Sequence, residues 1–300
     1  MTPYAGDRMA TSQAERTRAL MLLALCGVFW SSAGVLIKFV SWHPLAIWSV
    51  RCAISGAALY AITRPSLRGL TRAEWGVAVT HAATTGLFIA ANKLTTPANA
   101  ILIQYSAPVW VAMFGAWMLN ERASRADWLT IVVVLSGIAL FFLDQLEFSH
   151  MLGNGIALLA GMVFALNTML LRLISARAVV APAARRNPLR AVVVGNMLGA
   201  VIGAPFCFMH AAPDATGWLA LLGLGLVQQT AAYLCYGWAI RRVTALEGLL
   251  VPIVEPILSP IWVMAIFGQR PSHWALLGGV IVVGAVTARA VLSLRRPAVE

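Results

Sequence analysis

The chain has 300 residues, 60% of them hydrophobic and only 11% charged, with mean hydropathy +0.80. A globular domain carries roughly 25% charged residues, so too little polar material is present to cover a water-soluble surface. The net charge of +11 therefore has to be judged by where it falls.

The apolar residues come in runs of about 20, the length that crosses a hydrocarbon core of about 30 Å. Ten such runs read as membrane spans, at 19–41, 44–63, 73–94, 97–119, 127–144, 152–175, 189–209, 216–240, 244–267 and 273–292. The fold class is an all-α polytopic membrane protein of ten transmembrane helices. The connections are short, which argues against a soluble ATPase, receptor or catalytic domain. The first run is too long for a signal-peptide h-region and no small-residue cleavage site follows it, so it is expected to stay as a helix.

Charge orders the spans across the membrane. With the N-terminus in the cytoplasm, basic groups from Arg8 to Arg18, Arg64 to Arg72, Arg122 to Arg125, Arg172 to Arg190, Arg241–Arg242 and Arg289 to Arg296 all fall inside. Lys38, Lys93 and Arg270 fall outside, with Asp144, Glu147 and Asp214, while Arg51 lies within a span. This positive-inside pattern predicts an inner-membrane protein with both termini cytoplasmic. The basic charge is topology, and nucleic acid is not an expected partner. Cys26, Cys52, Cys207 and Cys235 all sit inside spans as small apolar filler, with no metal-ligand spacing.

The chain also repeats itself. The stretch Gly27 to Lys38 aligns without a gap on Gly161 to Arg172, bringing Trp30 onto Phe164 and Lys38 onto Arg172. Pro44-Leu45 pairs with Pro188-Leu189, and Ala107-Pro108 with Glu255-Pro256. Glu121-Arg122-Ala-Ser124 pairs with Gln269-Arg270-Pro-Ser272, then Trp128 with Trp274. The halves are 1–148 and 149–300. Each holds five predicted helices, an odd number, so the second enters the membrane from the opposite side. Inverted repeats belong to secondary transporters, whose sites lie near the midplane between repeats.

These residues carry a family resemblance. Trp30-Ser-Ser-Ala-Gly34 with Lys38, Arg51, Ala100 to Tyr105-Ser-Ala-Pro108, and Asn120-Glu121-Arg122 with Trp128 resemble the EamA branch of the drug/metabolite transporter superfamily. The likeness extends to YddG-type exporters of amino acids, and it spans essentially the whole chain. It implies a 5+5 helical carrier for small metabolites, with amino acids as the leading class and export as the direction. The chain departs from the pattern at Gln269-Arg270, where Glu-Arg is common.

Candidate pathway residues come from polar faces on predicted helices. His81, Thr85, Phe88 and Asn92 form one stripe of helix 3; shifted by 148, it returns in helix 8 as Gln229, Tyr233, Tyr236 and Ile240. Polar faces inside a membrane point away from lipid, toward a cavity or a neighbouring helix. Helix 4 carries Gln104, Tyr105 and Pro108. Helix 9 carries Pro252, Glu255, Pro256 and Pro260, and is expected to bend or partly unwind. Glu255 lies about 15 Å deep, where an unpaired charge costs about 3 kcal/mol or more. It is the leading candidate to receive a substrate ammonium group or a proton. Trp30 and Trp262 offer aromatic walls, and Asn167 a donor and an acceptor. Arg51 reads as a structural ion-pair member, and Glu121-Arg122 as a loop or gate ion pair.

No phosphate-binding loop, metalloprotease helix or nucleophile elbow occurs. The sequence predicts no enzyme, no cofactor and no metal. The expected partners are a small-molecule substrate and the lipid bilayer, with the chain acting as a monomer. A channel-like facilitator, or an enzyme acting on a lipid-soluble substrate, is the alternative at this stage.

Overall fold

The computed structural model describes residues 13–146, 149–180, 187–209, 211–268 and 272–295. Arg8, Glu147, Arg185, Arg186, Arg270 and Arg296 of the charge pattern, and Gln269 of the repeat, lie outside the described residues.

Among the described residues the regular elements are all helices. The first half holds α1 (Gln13–Ser31), α2 (Ala33–Lys38), α3 (Pro44–Thr63), α4 (Arg72–Leu94), α5 (Pro97–Gln104), α6 (Ala107–Leu119) and α7 (Arg125–Phe141). The second holds α8 (Met151–Val180), α9 (Leu189–Cys207), α10 (Ala215–Leu222), α11 (Ala232–Ala239), α12 (Ala245–Leu250), α13 (Glu255–Phe267) and α14 (His273–Arg295). A π-helical segment, Gly223–Ala231, joins α10 to α11, and a 3₁₀ turn, Val251–Val254, joins α12 to α13.

Eight stretches are long and apolar enough to span a bilayer: Gln13–Lys38, Pro44–Thr63, Ala98–Leu119, Met151–Ala176, Leu189–Cys207, Ala215–Ala239, Ala245–Ile266 and His273–Ser293. The chain is thus a multi-pass membrane protein. The other two expected spans correspond to α4 and α7. Helix α7 has 17 residues, about 26 Å, and α4 is diluted by Glu74, His81, Asn92 and Lys93.

Local chemistry sets the helix ends. Capping boxes start α4 (Thr71 with Glu74), α7 (Ser124 with Asp127) and α12 (Thr244 with Glu247). Each boxed carboxylate also binds an arginine from a distant helix: Arg190, Arg289 and Arg16 respectively. Proline occupies the first turn of α3 and α5, where its missing N–H costs nothing.

The two larger apolar cores among the described residues meet between the halves' helices. One gathers Ala107, Val111, Ile131, Ile138, Leu249 and Ile253 with their neighbours, from α6, α7, α12 and the 3₁₀ turn. The other gathers Leu23, Cys26, Leu59, Leu171, Val192 and Tyr236, from α1, α3, α8, α9 and α11. Helix α3 lies along α9, α4 along α8 and α9, α7 along α14, and α1 along α11.

Three interruptions correct the expectation of continuous spans. Helix 1 breaks between α1 and α2, and ends at Lys38 rather than 41. There the hydroxyls of Ser31 and Ser32 bond to the carbonyls of Val28 and Phe29 at 2.6 and 2.7 Å, competing with the helical ladder. Helix 8 widens into the π segment, where Thr230 Oγ1 bonds to the Gly225 carbonyl five residues back, at 2.7 Å. Helix 4 breaks at Tyr105–Ser106 as helix 9 does before Glu255.

The breaks in helices 4 and 9 share one cause. Pro108 has no N–H for the carbonyl of Gln104, and Pro256 has none for that of Pro252. Glycines from two other helices stand against these carbonyls. A Cβ on Gly27 of α1 would lie 2.8 Å from the Pro252 oxygen, and one on Gly161 of α8 would lie 2.8 Å from the Gln104 oxygen. Only glycine permits either approach.

Candidate functional site

The break in helix 9 places Glu255 at the first turn of α13, and the break in helix 4 leaves Tyr105 facing it. The Tyr105 hydroxyl donates to Glu255 Oε2 at 2.9 Å. Both side chains are only half-buried, although they sit far from either end of their spans. They lie at the seam between the two cores, because Tyr105 packs against the first and both groups are within electrostatic reach of Cys26 in the second.

Helix 1 walls the same seam. Gly27 meets Pro252, Gly34 meets Ser259, and Trp262 Nε1 donates to Ser31 Oγ at 2.8 Å. Trp30, on this stretch, stands 5.9 Å from the ring of Tyr233 and 5.7 Å from that of Tyr236. His81 meets Tyr233 edge-on at 4.9 Å. These separations suit tilted aromatic contacts, and together the rings build an aromatic wall on the helix 1 side of the seam.

Behind the wall runs a buried polar network. His81 Nε2 lies 3.1 Å from Asn196 Oδ1, to which Gln229 Nε2 also donates at 2.6 Å. Asn196 Nδ2 donates to Ser55 Oγ at 3.3 Å, and Thr230 reaches the same hydroxyl at 3.1 Å. Arg51, half-buried one turn before Ser55 on α3, is within electrostatic reach of Glu255, His81 and Tyr233. Its Nε and Gln229 Oε1 are buried without a hydrogen-bond partner among the described residues.

The structure therefore brings together Glu255, Tyr105, Trp30, Tyr233, Tyr236, His81 and Gln229, with Trp262 on the same helix face. It separates the others. Thr85 accepts from Trp48 Nε1 at 2.9 Å, Phe88 packs beside Ala91, Ala100 and Ala157, and Asn92 bonds to its own helix at the Phe88 carbonyl. Asn167 donates to the Val77 carbonyl and to Thr80 Oγ1, each at 3.0 Å, tying α8 to α4. Gln104 contributes its backbone at the break. The stripe of helix 3 thus turns away from the seam after His81, because Trp48 of α3 covers Thr85.

Three contributors were passed over in the sequence. Arg51 is expected in an ion pair, yet no carboxylate pairs with it among the described residues. Asn196 and Ser55 lie in helices read as apolar. Glu121 binds Arg172 rather than its neighbour Arg122. A groove of about 500 Å³ between α7, α13 and α14, lined by Phe141, Ile257, Ile261, Leu276 and Val280, is apolar and offers nothing to orient a polar solute.

The model of the EamA-like transporter family matches residues 17–143 and again residues 151–288. An uncharacterized transporter of Archaeoglobus fulgidus is 22% identical over 264 residues, covering 88% of this chain and 93% of that protein. Uncharacterized transporter YxxF of Bacillus subtilis is 22% identical over 194 residues, covering 63% of this chain and 60% of that protein. A crystal structure with 20% identity superimposes with a TM-score of 0.77, covering 94% of this chain and 99% of the other. That likeness shows the fold.

Proposed function

Because the chain belongs to the EamA-like transporter family, we propose that this membrane transporter is a secondary carrier exporting zwitterionic amino acids, aromatic ones included, across the inner membrane by alternating access. The observation that carries this reading is the pairing of opposite charges beside an aromatic wall. Glu255 receives the ammonium group and Arg51 the carboxylate, for which a guanidinium has the matching bidentate geometry. Trp30, Tyr233 and Tyr236 take the apolar side chain. Two half-buried charges without a direct ion pair between them are costly inside a membrane, and a zwitterion spanning them relieves that cost. Export is the direction implied by the resemblance to amino acid exporters.

The alternating-access part rests on ten spans in two inverted halves. The consecutive family matches support two repeats. So does the contact pattern: exchanging each helix for its counterpart turns the α4–α8 contact into α11–α1, and returns α3–α9 and α7–α14 to themselves. The matched glycine–carbonyl contacts at the two breaks support it further. A site between repeats is where such carriers bind.

Purified protein in liposomes, preloaded with unlabelled phenylalanine, should take up labelled phenylalanine in saturable exchange. Phenylethylamine lacks the carboxylate and 3-phenylpropanoate the ammonium group. Each should compete about tenfold less well or worse, the effect of losing one charge-assisted contact. Equal competition by either analogue removes the charge pairing from the account. Flux that does not saturate would indicate a channel.

A further inference from the structure

Helices 4, 8 and 9, which carry part of the site, are tied to helix 6 at their cytoplasmic ends by two side chains. Arg172, near the end of α8, donates through Nε to Glu121 Oε1 at 2.9 Å. Its Nη1 donates to the carbonyls of Ile240 and Arg241, just past α11, at 3.1 and 2.9 Å. Glu121, after α6, accepts at its other oxygen from the backbone N–H of Ala245, the first residue of α12, at 2.8 Å. Both side chains are 19% exposed. One ion pair thus joins both breaking helices, 4 and 9, to helices 6 and 8.

The repeat gives each member of this knot a counterpart on the opposite face. Glu121 aligns with Gln269, Arg172 with Lys38, and Ala245 with Pro97. Glutamine cannot form an ion pair, and proline has no N–H to give. Two further ties on the inner face follow the same pattern. Asp127, bound to Arg289, aligns with Ala275, and Glu247, bound to Arg16, aligns with Asn99. At each of these three carboxylates, Glu121, Asp127 and Glu247, the repeat-related residue is neutral.

We propose that Glu121 and Arg172 are the cytoplasmic gate, and that this asymmetry makes the carrier rest with the gate shut. The inference rests on the inverted-repeat reading above and assigns a role to residues outside the substrate site. Opening toward the cytoplasm separates helix 4 from helices 6 and 9, so it must break the Arg172–Glu121–Ala245 chain. On the outer face the repeat-related carboxylate is a glutamine and the repeat-related N–H is replaced by a proline nitrogen, so the same chain cannot form there.

The test uses spin labels on cysteines at the exposed positions Arg122 and Ser66, in the full chain reconstituted without substrate and with its native cysteines replaced by serine or alanine. Electron–electron distance measurement should give one dominant population in the parent. Glu121→Gln keeps the shape but removes the charge. It should raise a longer-distance population on the order of tenfold, the effect of one lost charge-assisted hydrogen bond. Arg172→Lys, which keeps the charge but loses the fork, should do the same to a smaller extent, and it covers the case in which Glu121→Gln does not fold. Asp127→Asn breaks an ion pair between helices 5 and 10, away from the gate, and should leave the distribution unchanged. Parental distributions in both gate variants, or an equal shift in Asp127→Asn, overturn the proposal. Because no substrate is present, either failure leaves the amino acid reading untouched.

Discussion

Glu255→Gln lowers phenylalanine exchange about 10- to 100-fold while the protein still folds. The amide keeps the size of the carboxyl group and can still accept from the Tyr105 hydroxyl, now 2.9 Å from Oε2. What it loses is the negative charge that faces the substrate ammonium group. Hydrogen bonds to charged groups are worth about 1.5–3 kcal/mol, and each 1.4 kcal/mol is a factor of ten, which sets the expected range. Stability is expected to hold, since a neutral amide costs less to bury than an unpaired charge. Glu255→Ala should lose exchange equally and also lower the thermal midpoint, because it leaves Tyr105 without its acceptor in a poorly solvated seam. Measured exchange rates in liposomes, with midpoints from the same preparations in detergent, separate the two variants. Glu255→Gln at parental rates would reduce the residue to a structural carboxyl.

The largest stability effect is expected far from that site, at Arg190. This residue is 1% exposed, and it forms a two-pronged pair with the buried Glu74. Its guanidinium also donates to the carbonyls of Ser66 and Gly69 at 3.1 and 3.3 Å. Glu74 in turn caps α4 by accepting from the Thr71 backbone at 2.7 Å. The pair therefore fixes the 64–71 connection, the start of α4 and the start of α9 together. Arg190→Leu leaves Glu74 buried and uncompensated, a change worth about 3–5 kcal/mol. The thermal midpoint should fall on the order of 10 °C. Adding Glu74→Gln should recover part of the loss, because it removes the stranded charge while an amide oxygen still caps the helix. A single variant melting with the parent would mean that the pair contributes no net stability.

The fold was legible in the sequence to the extent that its determinants are local. Run length located the helices, usually within a few residues. The break in helix 9 followed from Pro252 and Pro256. Pro108 carried the same signal for helix 4, and the repeat alignment with Pro256 would have extended it. The break at Ser31–Ser32 and the π segment depend on side-chain bonds to the chain's own carbonyls, which run length does not register.

The candidate site was legible in its residue types and less so in its pairings. Glu255, Tyr105, Trp30, Tyr233 and His81 stand out because polar and aromatic groups on a buried helix face need a reason to be there. Thr85, Phe88 and Asn167 share that pattern but satisfy their neighbours instead, and nothing in a single helix distinguishes the two outcomes. Arg172 and Arg190 illustrate the opposite failure. An arginine near a helix end fits the positive-inside pattern so well that its partner, often more than 50 residues away, goes unseen. Arg190 and Arg172 belong to inter-helix ties, and Arg51 belongs beside the site.

Every functional argument above depends on the two halves crossing the membrane in opposite senses. Ser66 lies in the connection between helices 2 and 3, and its repeat counterpart is Asp214, the N-cap of α10. Single cysteines at Ser66 and at Ala212, the latter chosen to spare that cap, are both at exposed positions. In intact cells, a membrane-impermeant thiol reagent should modify the cysteine at 212 and spare the one at 66. In inside-out vesicles the pattern should reverse. Modification of both positions from the same side would place the halves in parallel and contradict the account at its base.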